Sequence, residues 1–164
     1  MDITLEQSLA SAVRFILEND VNGVKPYFED IPEAFYVPSV YFPVPYIESS
    51  KVTLGSYLNT IAFEVQIMDR KDWDAQARSA HLRDLIMING LVLPLYSENG
   101  ADTGKSVKVL EPVIRRIEQG IVSLQYRILD YFTPKKEKAS KANNIYLIWN
   151  DIKEYFTQEV INGS

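Results

Sequence analysis

The chain has 164 residues, 46% of them hydrophobic and 24% charged, which is enough apolar material for one packed domain and argues against global disorder. Its net charge of −5 is a poor basis for gripping nucleic acid, because that affinity comes largely from Lys and Arg set against phosphates. There is no cysteine, so disulfides, thiolate chemistry and Cys-based zinc sites are excluded, and a reducing cytoplasm fits the composition.

The N-terminal stretch carries Asp2 and Glu6 ahead of its apolar residues and does not read as a signal peptide. No apolar run approaches the ~20 residues that span a bilayer, so the expectation is a soluble intracellular protein. Thr4 is placed to cap a first helix, with Gln7 at the spacing of a capping box. Leu5, Leu9, Ala12, Val13 and Ile16 give that helix one apolar stripe, and it should end near Asn19 and Asp20.

Residues 24–48 read as extended and irregular. Pro38, Pro43 and Pro45 keep any strand there at an edge or a bulge, while Phe35, Tyr36, Tyr41, Phe42 and Tyr46 still favour extended backbone. Residues 48–56 read as a hairpin loop. A strand over 57–68 follows, with Tyr57, Ile61, Phe63, Val65 and Ile67 on one face and Thr60, Ala62, Glu64 and Gln66 on the other.

A second helix starts at Asp69 or Asp72, either of which can cap it, and stops at Asn89-Gly90. Residues 91–96 form a short strand and 97–106 the loop after it. Residues 107–118 and 120–132 then pair around Gln119-Gly120, with Val122, Leu124, Tyr126, Ile128 and Phe132 alternating against Ser123, Gln125 and Arg127. Residues 133–144 are a polar basic linker. Asn143 or Asn144 can cap a last helix striped by Ile145, Ile148, Trp149, Ile152, Phe156 and Val160. Strand pairs joined by short turns, with helices between them, predict an α+β fold: a mainly antiparallel sheet with helices packed on it and an extra C-terminal helix after the basic linker. The expected division is a domain over 1–132, a linker over 133–144 and a helix over 145–164.

The one stretch that suggests chemistry is Asn99 to Ser106, because Gly104-Lys105-Ser106 is how a phosphate-binding loop ends. The pattern needs a glycine where Asn99 stands, and a helix where a β-branched, proline-containing segment follows. A polar hairpin turn is the better reading. His81 is the only histidine, so a His-rich metal site is excluded; Asp84 and Arg78 are its helix neighbours. Asp72 and Asp74 suit a helix start, Glu29, Asp30 and Glu33 look solvated, and Ser49, Ser50 and Ser106 lack an activating base. Lys135, Lys136, Lys138 and Lys141 form the only basic run and read as a solvated linker. What remains is surface for partners, and the aromatic, proline-rich segment 35–46 offers an open edge to a neighbouring subunit.

The succession PSVYFPVPYIESS, YLNTIAFEVQIMDR, DWDAQARSAHLRDLI and VKVLEPVIRRIEQGIVSLQYRILDY resembles the tail terminator proteins of tailed bacteriophages and the related small neck proteins. A strand of the type F-x-V-x-I running into an Asp-rich helix start carries most of the likeness, which covers about residues 3 to 132. The resemblance implies a non-enzymatic part of the virion neck without cofactor or metal. It implies a hexameric ring that caps the finished tail tube, stops its polymerisation and presents a surface to the head connector. The implied partners are further copies of the chain, the tail tube protein and the connector. DNA would pass through the lumen unbound, since acidic walls repel phosphate. The two hairpin loops and the aromatic edge supply the expected contacts: Tyr41, Tyr46, Ser49, Ser50, Lys51, Asn99, Asp102 and Lys105. The rival readings are another head–tail connector or tail-assembly protein, and a nucleotide-binding enzyme that uses Lys105.

Overall fold

The computed structural model describes residues 5–132 and 145–162. Helix α1 (Leu5–Asn19) buries Leu9, Ala12, Val13 and Ile16 of the expected stripe, half-buries Leu5, and buries Phe15 beside them. Thr4 lies outside the described residues. Gln7 donates from Nε2 to the Tyr96 carbonyl at 3.2 Å, which ties α1 to the strand beneath it.

Prolines leave the next segment only short pieces of strand, as a missing N–H requires. Strand β1 (Lys25–Tyr27) pairs in parallel with β2 (Ser39–Tyr41), which begins directly after Pro38. Strand β3 (Tyr46–Lys51) begins directly after Pro45 and runs antiparallel to β4 (Tyr57–Met68), from Tyr46 opposite Ala62 to Lys51 opposite Tyr57. The expected loop over 48–56 is therefore wrong in its first half. Ser49 and Ser50 look like loop residues, but ladder bonds are made by backbone and ask little of a side chain. Only residues 52–56 turn, closed by the Ser56 N–H donating to the Thr53 hydroxyl at 3.1 Å.

In β4, Ile61, Phe63, Val65 and Ile67 point inward and are fully buried or nearly so, and Ala62 on the opposite face is exposed. Helix α2 (Asp72–Ile88) follows and stops where expected, with Asn89 as its C-cap and Gly90 at a φ of 81°. Its N-cap is Lys71, which makes no side-chain cap bond, so neither Asp69 nor Asp72 caps the helix. Both carboxylates have stronger partners. Asp69 pairs with Arg78, and Asp72 accepts the Gly120 N–H and the Arg116 Nε–H.

Strand β5 (Val92–Tyr96) turns into β6 (Asp102–Val109) through residues 97–101, so the expected loop over 97–106 is also too long. Asp102, Lys105 and Ser106 lie on β6, paired back to β5 across a bulge between Pro94 and Tyr96. Strand β7 (Val113–Glu118) and β8 (Ile121–Phe132) form the expected hairpin. Gly120 in its turn has a φ of 77°, and a side chain there would drive a Cβ into the Asp69 carbonyl oxygen, so glycine is required. Residues 107–118 are not one strand. The run breaks at Leu110–Pro112: the Leu110 N–H makes one last bond in the β6–β8 register, to the Arg127 carbonyl at 2.8 Å, and Pro112 has no N–H to offer.

The eight strands make one sheet in the order β1-β2-β4-β8-β6-β5. β4 and β8 are antiparallel over their full 12 residues and form its spine. β3 sits beside β2 along the free side of β4, and β7 sits beside β6 along the free side of β8. The last helix, α3 (Ile145–Asn162), lays Ile148, Trp149, Ile152 and Phe156 into the same apolar cluster as α1, α2 and the inner sheet face. Trp149 meets Phe28 and Phe63 edge-on, with ring centroids 5.9 and 6.5 Å away. The fold is α+β, with all three described helices on one face of a mainly antiparallel sheet. Asn143, Asn144, the linker lysines and the side chain of Val160 lie outside what is described.

Candidate functional site

The sheet divides the expected contact residues into two groups. Tyr46, Ser49, Ser50 and Lys51 all lie on β3, an edge strand exposed along almost its whole length. Tyr46 is 66% exposed. Ser49 turns its hydroxyl to Asn59 Oδ1 on β4, whereas Ser50 and Lys51 are exposed, on opposite faces of the strand. Tyr41 is half-buried at the end of β2, opposite Gln66. Asn99, Asp102 and Lys105 belong to the β5–β6 hairpin beyond the other side of the spine. The two groups therefore sit at opposite sides of one sheet and do not form a single site.

The structure removes the phosphate cradle. Gly104, Lys105 and Ser106 are strand residues, with Ser106 opposite Pro94 and Thr103 Oγ1 donating to the Leu95 carbonyl at 2.7 Å. The Gly104 N–H is taken by Asp102 Oδ1 at 2.8 Å, and strand rather than helix continues to Val109. A cradle needs free amides at a helix start, and this segment has neither. His81 is exposed, and Asp84 on the next turn accepts from Arg83 Nη2 at 2.8 Å instead. Among the described residues, no group of three or more His, Cys, Asp or Glu side chains could hold a metal ion.

Two charged clusters hold the frame that presents these edges. Arg78 is 7% exposed, and its guanidinium makes a two-pronged bridge to Asp20, Nε to Oδ1 at 2.9 Å and Nη2 to Oδ2 at 2.6 Å. Nη1 also reaches Asp69 at 3.1 Å and the Met68 carbonyl at 2.9 Å, and Nη2 reaches the Ser39 carbonyl at 3.3 Å. One side chain thus joins the end of α1, β2, β4 and α2. Burial works against its charge, but Asp20 and then Asp69 outweigh it and raise its pKa. This residue was missed as a fold determinant. The signal was present, because Arg78 stands on the buried stripe of α2 between Ala75 and Leu82. A charged group at such a position implies a buried partner.

The second cluster is centred on Arg14, which stacks over Tyr96, Tyr155 and Phe156 at 5.8, 5.8 and 5.4 Å. It pairs with Glu18 and Glu159 and so locks α1, α3 and the root of the β5–β6 hairpin together. At the start of α3 lie two open grooves of about 450 and 430 Å³, both lined by Val44 and Tyr146. Asp130 is the remaining anomaly. It is 1% exposed, stands opposite Asn59 on the inner face, and neither carboxylate oxygen has a hydrogen-bond partner among the described residues. Burial alone pushes its carboxyl up to about 7.

No family model matches the chain. Over 105 residues it is 27% identical to the Phage-like element PBSX protein XkdJ of Bacillus subtilis (strain 168), a match covering 64% of this chain and 72% of that protein. The chain is thus similar in sequence to a protein of a phage-like element. A second protein of the same strain, the uncharacterized protein YqbJ, is 27% identical over 86 residues, 52% of this chain and 59% of its own length. Among solved structures, a chain of the virion of the native gene transfer agent (GTA) particle aligns with a TM-score of 0.43 and 17% identity, covering 76% of this chain and 96% of that one.

Proposed function

We propose that this chain is a structural protein of a phage or phage-like particle. In this reading it forms a ring, hexameric by the resemblance, at the head-proximal end of the tail tube, where it ends tube growth and joins the tail to the head connector. The observation that carries the reading is the similarity to XkdJ, named for a phage-like element, over 64% of the chain. The fold supports it in a second way, because long exposed strands at both sides of the sheet leave backbone donors and acceptors free for pairing. Residues 1–132 are read as the assembling domain. Tyr41, Tyr46, Ser49, Ser50 and Lys51 serve one contact surface and Asn99, Asp102 and Lys105 another. The net charge of −5 suits a lumen through which DNA slides without binding.

Labelling tests the position. Gold-labelled antibody against the chain should mark assembled particles once each, at the junction of head and tail. Label along the tail length, at its far tip, or only in unassembled fractions would contradict the proposal.

A further inference from the structure

We propose that copies of this chain join by pairing the β3 edge of one with the β7 edge of the next, continuing the sheet from copy to copy. The inference rests on the ring reading above and names its interface.

The two strands are the only six-residue free edges among the described residues, and they lie on opposite sides of the β4–β8 spine. Their rivals are weak. β1 has three residues, and β5 carries Pro94 at its centre. Both edges also show apolar side chains to solvent: Tyr46 on β3, and Val113 and Ile117 on β7, the latter two 46% and 48% exposed.

Strand direction fits. β3 is antiparallel to β4, β4 to β8, and β8 to β7, so β3 and β7 of one chain run in opposite directions. A neighbour placed beside the sheet without turning over therefore meets β3 with an antiparallel β7. Shape fits as well. Each free edge is recessed beside a two-strand projection, β1–β2 next to β3 and β5–β6 next to β7. β3 faces the first half of β4 and β7 the first half of β8, which are diagonal corners of the sheet. Pairing them staggers each copy along the strands and keeps the projections apart. A sheet sheared in this way curls and closes with tilted strands.

Side-chain faces and charge together then fix the register. Ile47 and Ser49 share the inner face with Ile61 and Asn59, and Ile114 shares it with Leu124. Matching inner to inner allows registers two residues apart, and the one with Ser49 opposite Ile114 is the one that sets Glu48 against Arg115, with Ser50 against Val113. Opposite charges thus meet directly across the junction, and Tyr46 comes beside Ile117. Pairing β7 with a second β7 at comparable overlap would set Arg115 against Arg115 or Arg116 against Arg116. Like charges directly opposite are unfavourable, so the edge selects β3 over itself. Such a head-to-tail contact generates a ring when its rotation closes.

The chain has no native cysteine, so engineered crosslinks report on this contact without background. A chain carrying both Ser50→Cys and Val113→Cys, assembled alone or with tube protein and mildly oxidised, should give a ladder of covalent multimers up to the ring. Each single variant should give no ladder. Glu48→Arg and Arg115→Glu should each raise the concentration needed for assembly by about 5-fold or more, and the double exchange should restore it. Rings or tube caps of normal mass with no ladder and no rescue would overturn the β3–β7 junction and leave the ring reading standing. A chain that stays monomeric both alone and on tubes would overturn both.

Discussion

Replacing Arg78 with alanine is expected to lower the free energy of unfolding by about 3–5 kcal/mol, because it leaves a buried charge without its partner. The Asp20 side chain is 1% exposed, and apart from the adjacent Val21 N–H at 2.8 Å its bonds come from this one guanidinium. The same group satisfies the carbonyls of Ser39 and Met68, so the substitution strands acceptors on two strands as well as an acid. Arg78→Lys keeps the charge but loses the planar fork, and about half the effect is expected. Asp20→Asn combined with Arg78→Met should cost much less than the sum of the two single changes, since the pair vanishes together. Urea unfolding followed by circular dichroism measures every one of these variants. Equal midpoints for wild type and Arg78→Ala would show that the cluster bears no load.

The second large effect concerns Asp130 and is tied to pH. In the folded chain its carboxyl is pushed up to about 7 by burial, against an ordinary value of 3.8. The fold therefore binds a proton that the unfolded chain has released. Below the ordinary value both states are protonated and the group costs nothing. As pH rises towards 7 the unfolded state gains from ionising and the folded state does not, so stability falls, and it levels off above that point. The loss between pH 4 and 8 is on the order of 2–4 kcal/mol. Asp130→Asn keeps the shape without the titration. Its melting temperature should come closest to wild type below about pH 3.5 and exceed it increasingly up to pH 8, and the difference between the two curves isolates this group. Parallel curves across the range would mean that the carboxyl is solvated or paired.

Much of the frame was legible because one physical signal dominated each place. Alternation over 57–68 set β4 to the residue, since a half-buried strand must alternate. Asn89-Gly90 ended α2 because its last turn needs a left-handed residue. The failures are equally physical. Ser49, Ser50, Lys105 and Ser106 were read as loop from their side chains, but they are strand because backbone pairing, invisible in composition, extends past the apolar core. Asp69 and Asp72 had several partners open to them. Tertiary partners outcompeted the local cap: Arg78 for one, and Gly120 with Arg116 for the other. Backbone bonding from Gly120, then Arg116, holds the Asp72 carboxyl below the usual range, as fits a carboxylate that clamps the β7–β8 turn. The segment 35–46 could be picked out as irregular from its prolines, whereas nothing in the sequence marked β7 as a contact strand. That β3 and β7 are the longest free edges could not be read beforehand, because an edge is a property of the whole sheet order.

Tube growth in the presence of this chain tests the central claim most directly. Purified tail tube protein from the same particle should polymerise into tubes of open-ended length alone. With the chain added in small molar excess, electron microscopy should show short tubes, each closed at one end by a ring of fixed copy number. Unchanged tube lengths with bare ends, under conditions where the added chain is folded, would contradict the account.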